Sequence, residues 1–182
     1  AGDMNRREVL LRLGIRCTGT PQYPETVKIP KVMQGGKVTG WDSKVFEQGL
    51  GYSETIQAVR RKLGDDRLRI SCHVNSTLSV NEIDSILEEW AREGWHAKSV
   101  VIDYADILQL PSGGEEKEKI DELWKQLRRL SQHRHVLTLT ASQTDAKAYD
   151  TTKVITRSNF SGRKTKLAHV NGMIGINVDH RP

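Results

Sequence analysis

Val100-Val101-Ile102-Asp103-Tyr104 and Val136-Leu137-Thr138-Leu139-Thr140-Ala141-Ser142-Gln143 are the two stretches that decide the fold. Each is a short apolar run, the pattern of a strand buried on both faces, and each ends on a polar residue. Between them, from about Glu116 to Gln132, Ile120, Leu123, Trp124, Leu127 and Leu130 repeat with helical spacing along one face. Strand, helix, strand in that order predicts neighbouring parallel strands joined by a right-handed crossover. Ligands on such sheets bind beyond the carboxyl ends of the strands, so chemistry is expected just after Ile102 and Thr140.

Outward from this pair the pattern continues. Leu68 to Val74 and Met173 to Val178 read as further strands. Ser79 to Arg92 reads as an amphipathic helix, with Ile83, Ile86, Leu87 and Trp90 on one face and a Ser79/Glu82 capping box at its start. A short helix is expected from Asn5 to Cys17, where Val9, Leu10, Leu13 and Cys17 share a face and Asn5 serves as N-cap. After it, Pro21, Pro24 and Pro30, then Gly35, Gly36, Gly40, Gly49 and Gly51, break any regular period. The stretch from about 18 to 66 is therefore read as an irregular insertion holding one helix, Ser53 to Leu63. The expected class is α/β, a mainly parallel sheet flanked by helices, within one domain over residues 1–182.

Composition sets outer bounds. The 182 residues are 36% hydrophobic and 28% charged, which fits a folded α/β domain and not a disordered chain. No apolar run approaches the ~20 residues that span a bilayer, and no signal-peptide pattern opens the sequence, so no membrane association is expected. Cys17 and Cys72 are too few for a disulfide framework and fit reduced, packed thiols in a cytoplasmic protein. The net charge of +5 permits a polyanionic partner without requiring one.

The strand ends supply the candidate site residues. Asp103 comes directly after a buried strand, where a carboxylate can hold the water shell of a nucleotide-bound Mg²⁺; the same position suits an ordinary turn or cap. Gln143 ends the next strand, where an amide can contact a γ-phosphate or its attacking water, or simply face solvent. Beyond Gln143, Lys147, Lys153, Arg157, Arg163, Lys164 and Lys166 stand against only Asp145 and Asp150. That local excess is most of the chain's charge, and cations strung along a loop suit sequence-independent contact with a phosphate backbone. Tyr149 and Phe160 offer little base stacking. Pro111-Ser112-Gly113-Gly114 reads as a second flexible loop on the same edge.

In order and spacing these elements resemble the second half of the RecA-like motor of DnaB-type hexameric replicative helicases. The apolar strand ending in Ile102-Asp103-Tyr104 is similar to that family's Walker B element, and Ser142-Gln143 to its later strand end. The Leu127-Arg128-Arg129-Leu130 helix end and the preceding capping box fit as well. Gly2-Asp3-Met4-Asn5 resembles the segment where the family carries a Glu that activates the attacking water; here Asp3 stands one methylene shorter. The resemblance implies a RecA-like P-loop NTPase core, ATP and Mg²⁺ as cofactors, catalytic roles for Asp3 and Gln143, and Mg²⁺ held through water by Asp103. It also implies single-stranded DNA gripped by the basic residues after Gln143 in a homo-hexameric ring, in a bacterial or phage-infected cell.

The phosphate-binding motif G-x-x-x-x-G-K-[ST] is not in this sequence. Gly36-Lys37 is followed by Val38, with Lys31 where the first Gly belongs. Lys164-Thr165 has Arg163 and Ser158 in place of the two glycines. The family order puts that motif before Ala1 and the basic finger after Pro182, so the expectation is a fragment that does not hydrolyse ATP alone. Three other readings stay open: a RecA-like recombinase, a metal-dependent nuclease using Asp103 and Asp106, and a non-catalytic DNA-binding or ring-assembly module. His133 and His135 lack metal-ligating partners and are read as surface residues. Cys72-His73 on one strand would face opposite ways. Trp90 and Trp124 are expected in the core, while Trp41 and Trp95 have no periodic partner.

Overall fold

The structure, a computed structural model, describes residues 4–31, 33–34, 37–143 and 164–176. It divides into two compact units, the first reaching Cys72 and the second starting at His73.

In the first unit, helix α1 (Arg6–Thr18) starts at Asn5, whose side chain accepts the Glu8 N–H while Glu8 returns a carboxylate to the Asn5 N–H. Two of the unpaired N–H donors at the helix start are thus satisfied. Gly19, left-handed at φ 67°, closes the helix. The next segment is not irregular. Strands β1 (Glu25–Pro30), β2 (Met33–Gln34), β3 (Lys37–Val38) and β4 (Trp41–Phe46) form an antiparallel ribbon in which Glu25 pairs with Phe46, Pro30 with Trp41 and Met33 with Val38. Backbone hydrogen bonding builds it with almost no burial, which leaves Trp41 and Val45 exposed. Helix α2 (Tyr52–Leu63) then packs on α1. Gly14 faces the fully buried Thr55 so closely that a Cβ there would lie 2.6 Å from Thr55 Cγ2.

The second unit carries the expected crossover. Helix α3 (Val80–Arg92) begins at the Ser79/Glu82 capping box. The Ser79 N–H and hydroxyl hold the Glu82 carboxyl below the usual carboxylate range. Strand β5 (Ser99–Ile102) pairs in parallel with β6 (Leu137–Thr140), Ser99 opposite Leu137 and Ile102 opposite Thr140. Helix α4 (Glu116–Arg134) connects them, ending on His135 in the left-handed region. Val80, Ile83 and Leu87 of α3 cluster with Leu123, Trp124, Leu127 and Leu130 of α4 around Ile102, Ala105 and Leu108. Trp90 packs partly buried against this core and meets Trp95 edge to face at 5.4 Å. His133 and His135 are exposed, as expected of surface histidines, whereas Cys72 is exposed rather than packed.

Three strand expectations change. Val101 is 71% exposed and Leu137 60%, so β5 and β6 are covered on one face and not on two. Leu68 to Val74 and the described part of Met173 to Val178 enter no ladder among the described residues. An apolar run records that a segment prefers burial; a ladder also needs a partner strand.

Arg134, at the end of α4, clamps α3. Its Nε lies 2.5 Å from Asp84 Oδ1 and its Nη1 2.5 Å from Glu88 Oε2, while Nη2 donates to the Asp84 carbonyl. This fork is a charge-assisted arrangement that lysine cannot copy. Hydrogen bonds from Arg134 hold the Asp84 and Glu88 carboxyls below their ordinary values of 3.8 and 4.5. A depressed folded-state pKa contributes stability that is complete above the unfolded value and is lost as pH falls through the folded one. Arg134→Met should therefore lower the unfolding midpoint by about 5 °C at pH 7. The deficit should shrink below about pH 4, and thermal melts followed by circular dichroism across pH 3–7 would measure both.

Candidate functional site

The two strands end together. Ile102 pairs with Thr140, so Asp103 leaves the sheet one residue past the ladder and Gln143 three residues past it, at the same carboxyl edge. Both side chains are exposed. After Asp103 the chain turns through a 3₁₀ segment, Ala105–Ile107. Its return path is tied to the strand-poor segment before α3: the Ser76 N–H donates to the Ile107 carbonyl and the Gln109 N–H to the Leu78 carbonyl, each at 2.9 Å.

Thr140 joins the two strand ends. Its hydroxyl donates to the Ile102 carbonyl at 3.0 Å and accepts the Ala105 N–H at 2.8 Å. Ala105 is fully buried, so this hydroxyl answers a donor that water cannot reach. One residue beyond Ala105, Asp106 is occupied on both oxygens. Ser142 Oγ donates to Oδ2 at 2.7 Å, and Lys166 Nζ lies 2.7 Å from Oδ1.

Lys166, expected among the phosphate contacts, is thus placed otherwise. It is only 4% exposed, paired to Asp106, with its ammonium 5.5 Å from the centre of the Trp124 ring. A buried, paired ammonium is not available to a phosphate backbone in this arrangement. It lies in a second 3₁₀ segment, Lys164–His169, which docks on α4. There Arg128 Nη1 donates to the His169 carbonyl at 3.3 Å and His169 Nε2 lies 3.2 Å from Asp121 Oδ1. Lys125, 2.7 Å from the other Asp121 oxygen, and then His169 hold the Asp121 carboxyl below its ordinary range. Of the remaining candidates, Asp3, Lys147, Lys153, Arg157 and Arg163 lie outside the described residues, as does the side chain of Lys164.

The donor set limits the metal chemistry. Among the described residues no cluster of three His, Cys, Asp or Glu side chains could cage a cation. Asp106 is engaged by Lys166 and Ser142, which counts against a paired-carboxylate nuclease centre with Asp103. A lone exposed carboxylate at a strand end fits Mg²⁺ that arrives with phosphates and keeps most of its waters. Sequence reasoning missed Thr140, Ser142 and the Asp106–Lys166 pair. The available signal was slight: Asp106 lies between apolar Ala105 and Ile107, and Lys166 is followed by apolar Leu167 and Ala168.

Thr140→Val keeps the shape and removes both hydrogen bonds. It should cost about 1–3 kcal/mol of unfolding free energy, while Thr140→Ser should keep most of it; urea unfolding of the two variants gives the comparison.

The comparisons with known proteins point one way. A family model described as divergent DnaB-like ATPase matches residues 49–163, which takes in α2 and everything from α3 to β6. No curated protein matches the chain. Among solved structures, one titled as a DnaB-like replicative helicase and its interactions with primase is similar, with a TM-score of 0.54 and 16% identity. The likeness covers 83% of this chain and 33% of the other, so this chain spans about a third of that one's length. At that identity it speaks for the fold alone: a mixed α/β unit with a small parallel sheet. The family match extends over well more than half of the residues, and the chain belongs to the divergent DnaB-like ATPases.

Proposed function

We propose that this chain is a module of an ATP-dependent replicative DNA helicase, with a RecA-like core that translocates on single-stranded DNA as a hexameric ring. The observation that carries the reading is the shared carboxyl edge of β5 and β6, which presents Asp103 and Gln143 together in a member of this ATPase family. Asp103 would hold the water shell of Mg²⁺ bound to ATP, and Gln143 would sense the γ-phosphate or its attacking water. Asp3 would orient that water. The phosphate cradle is not encoded between Ala1 and Pro182, and this chain contributes the metal-side and sensing residues. Lys147, Lys153, Arg157, Arg163 and Lys164 would grip the strand; Lys166 leaves that set because of its burial.

ATP hydrolysis by the protein at its full natural length, with and without single-stranded DNA, tests the reading. DNA should stimulate the wild type, and Asp103→Ala should reduce the stimulated rate about a hundredfold or more. A folded wild type that hydrolyses nothing under either condition would leave a binding module.

The DNA contact has its own signature. Affinity for an oligo-dT strand should fall with salt at a log–log slope near −0.7 for each phosphate neutralised, up to about −3.5 for five cations. Each alanine replacement among the five should flatten that slope by about 0.7. Slopes from fluorescence anisotropy titrations that ignore these substitutions would exclude the basic stretch as the contact.

A further inference from the structure

Asp106 holds three parts of the chain at one carboxylate. It stands three residues after Asp103, on the turn that leaves β5. Its Oδ2 accepts from Ser142, the residue before Gln143, and its Oδ1 meets Lys166, three residues after Arg163. The two residues that bracket the basic stretch are therefore fastened to the turn carrying the candidate metal carboxylate. The Lys166 side chain is buried against Trp124, and Trp124 is itself buried in α4 between Leu123 and Leu127. Parting the pair takes a charge partner away from an ammonium that is itself buried, so the pair parts reluctantly. A shift of the Asp103 turn must then carry Ser142 and Lys166 with it.

We infer that Asp106 and Lys166 are positioning residues, a half-buried latch that couples the nucleotide state at Asp103 and Gln143 to the strand grip of the basic segment. The latch rests on the motor reading of the chain. It differs from direct DNA contact by Lys166, and the two make opposite predictions.

The test uses the full-length protein with Asp106→Asn, Lys166→Met and the double variant. Basal ATP hydrolysis, its stimulation by oligo-dT and the salt slope of oligo-dT binding are measured for each. The latch predicts a basal rate within about threefold of wild type and a roughly tenfold loss of stimulation in each single variant. It predicts that the double variant is no worse than the poorer single one, because both remove the same link. It also predicts an unchanged salt slope for Lys166→Met, whereas a phosphate contact would flatten that slope by about 0.7. Undiminished stimulation in folded variants, or a flattened slope, overturns the latch. If the charge variants do not fold, Ser142→Ala carries the test, since it removes one arm and leaves the ion pair. A roughly threefold loss of stimulation then supports the latch, and full stimulation overturns it. A wild type without hydrolysis removes the motor reading and the latch with it; a stimulated wild type with equally stimulated variants removes the latch alone.

Discussion

The parallel pairing of β5 with β6 is the constraint on which the rest of the second unit depends. Parallel neighbours cannot be joined by a tight turn; the connection must run back the length of the sheet, and α4 is that connection. A helix in that place is stable only with its apolar stripe covered. Leu123, Trp124, Leu127 and Leu130 meet α3 and Ile102 for that reason, each buried side chain contributing roughly 1.5–3 kcal/mol. The same geometry delivers both strand ends to one edge. Had the strands run antiparallel, Asp103 and Gln143 would have emerged at opposite ends of the sheet. The site is thus a consequence of chain direction before it is a consequence of any particular side chain.

Local rules govern the part of the structure that could be read from the sequence. The Asn5 N-cap, the Ser79/Glu82 capping box, the α4 stripe and the two strand ends each depend on residues a few positions apart, and each is found where the spacing put it. The ribbon between Glu25 and Phe46 escaped because neither of its faces is well buried. Without a covered face there is no apolar alternation to detect, and backbone pairing leaves no trace in composition. Val101 and Leu137 misled in the opposite direction: their apolar character is plain, but nothing in a short run says how many faces are covered. Asp3 and the basic stretch up to Arg163 lie outside the described residues, so their readings remain those of the sequence and the resemblance.

Lys166 shows most clearly where counting charges stops. As one of six cations after Gln143 it belongs to an electrostatic footprint; in three dimensions it is placed against the Trp124 ring and Asp106. Burying one end of an ion pair is a poor route to stability, because desolvating the Lys166 ammonium offsets much of its attraction to the more exposed Asp106. Its use is better sought in specificity. A carboxylate with two donors from two separated segments admits one arrangement of those segments, where an apolar contact would admit several. At the junction of a turn, a strand end and the basic stretch, a unique arrangement is what the proposed latch requires. A cost in stability would be the expected accompaniment of such a latch, which is proposed to transmit a change and not merely to hold the chain together.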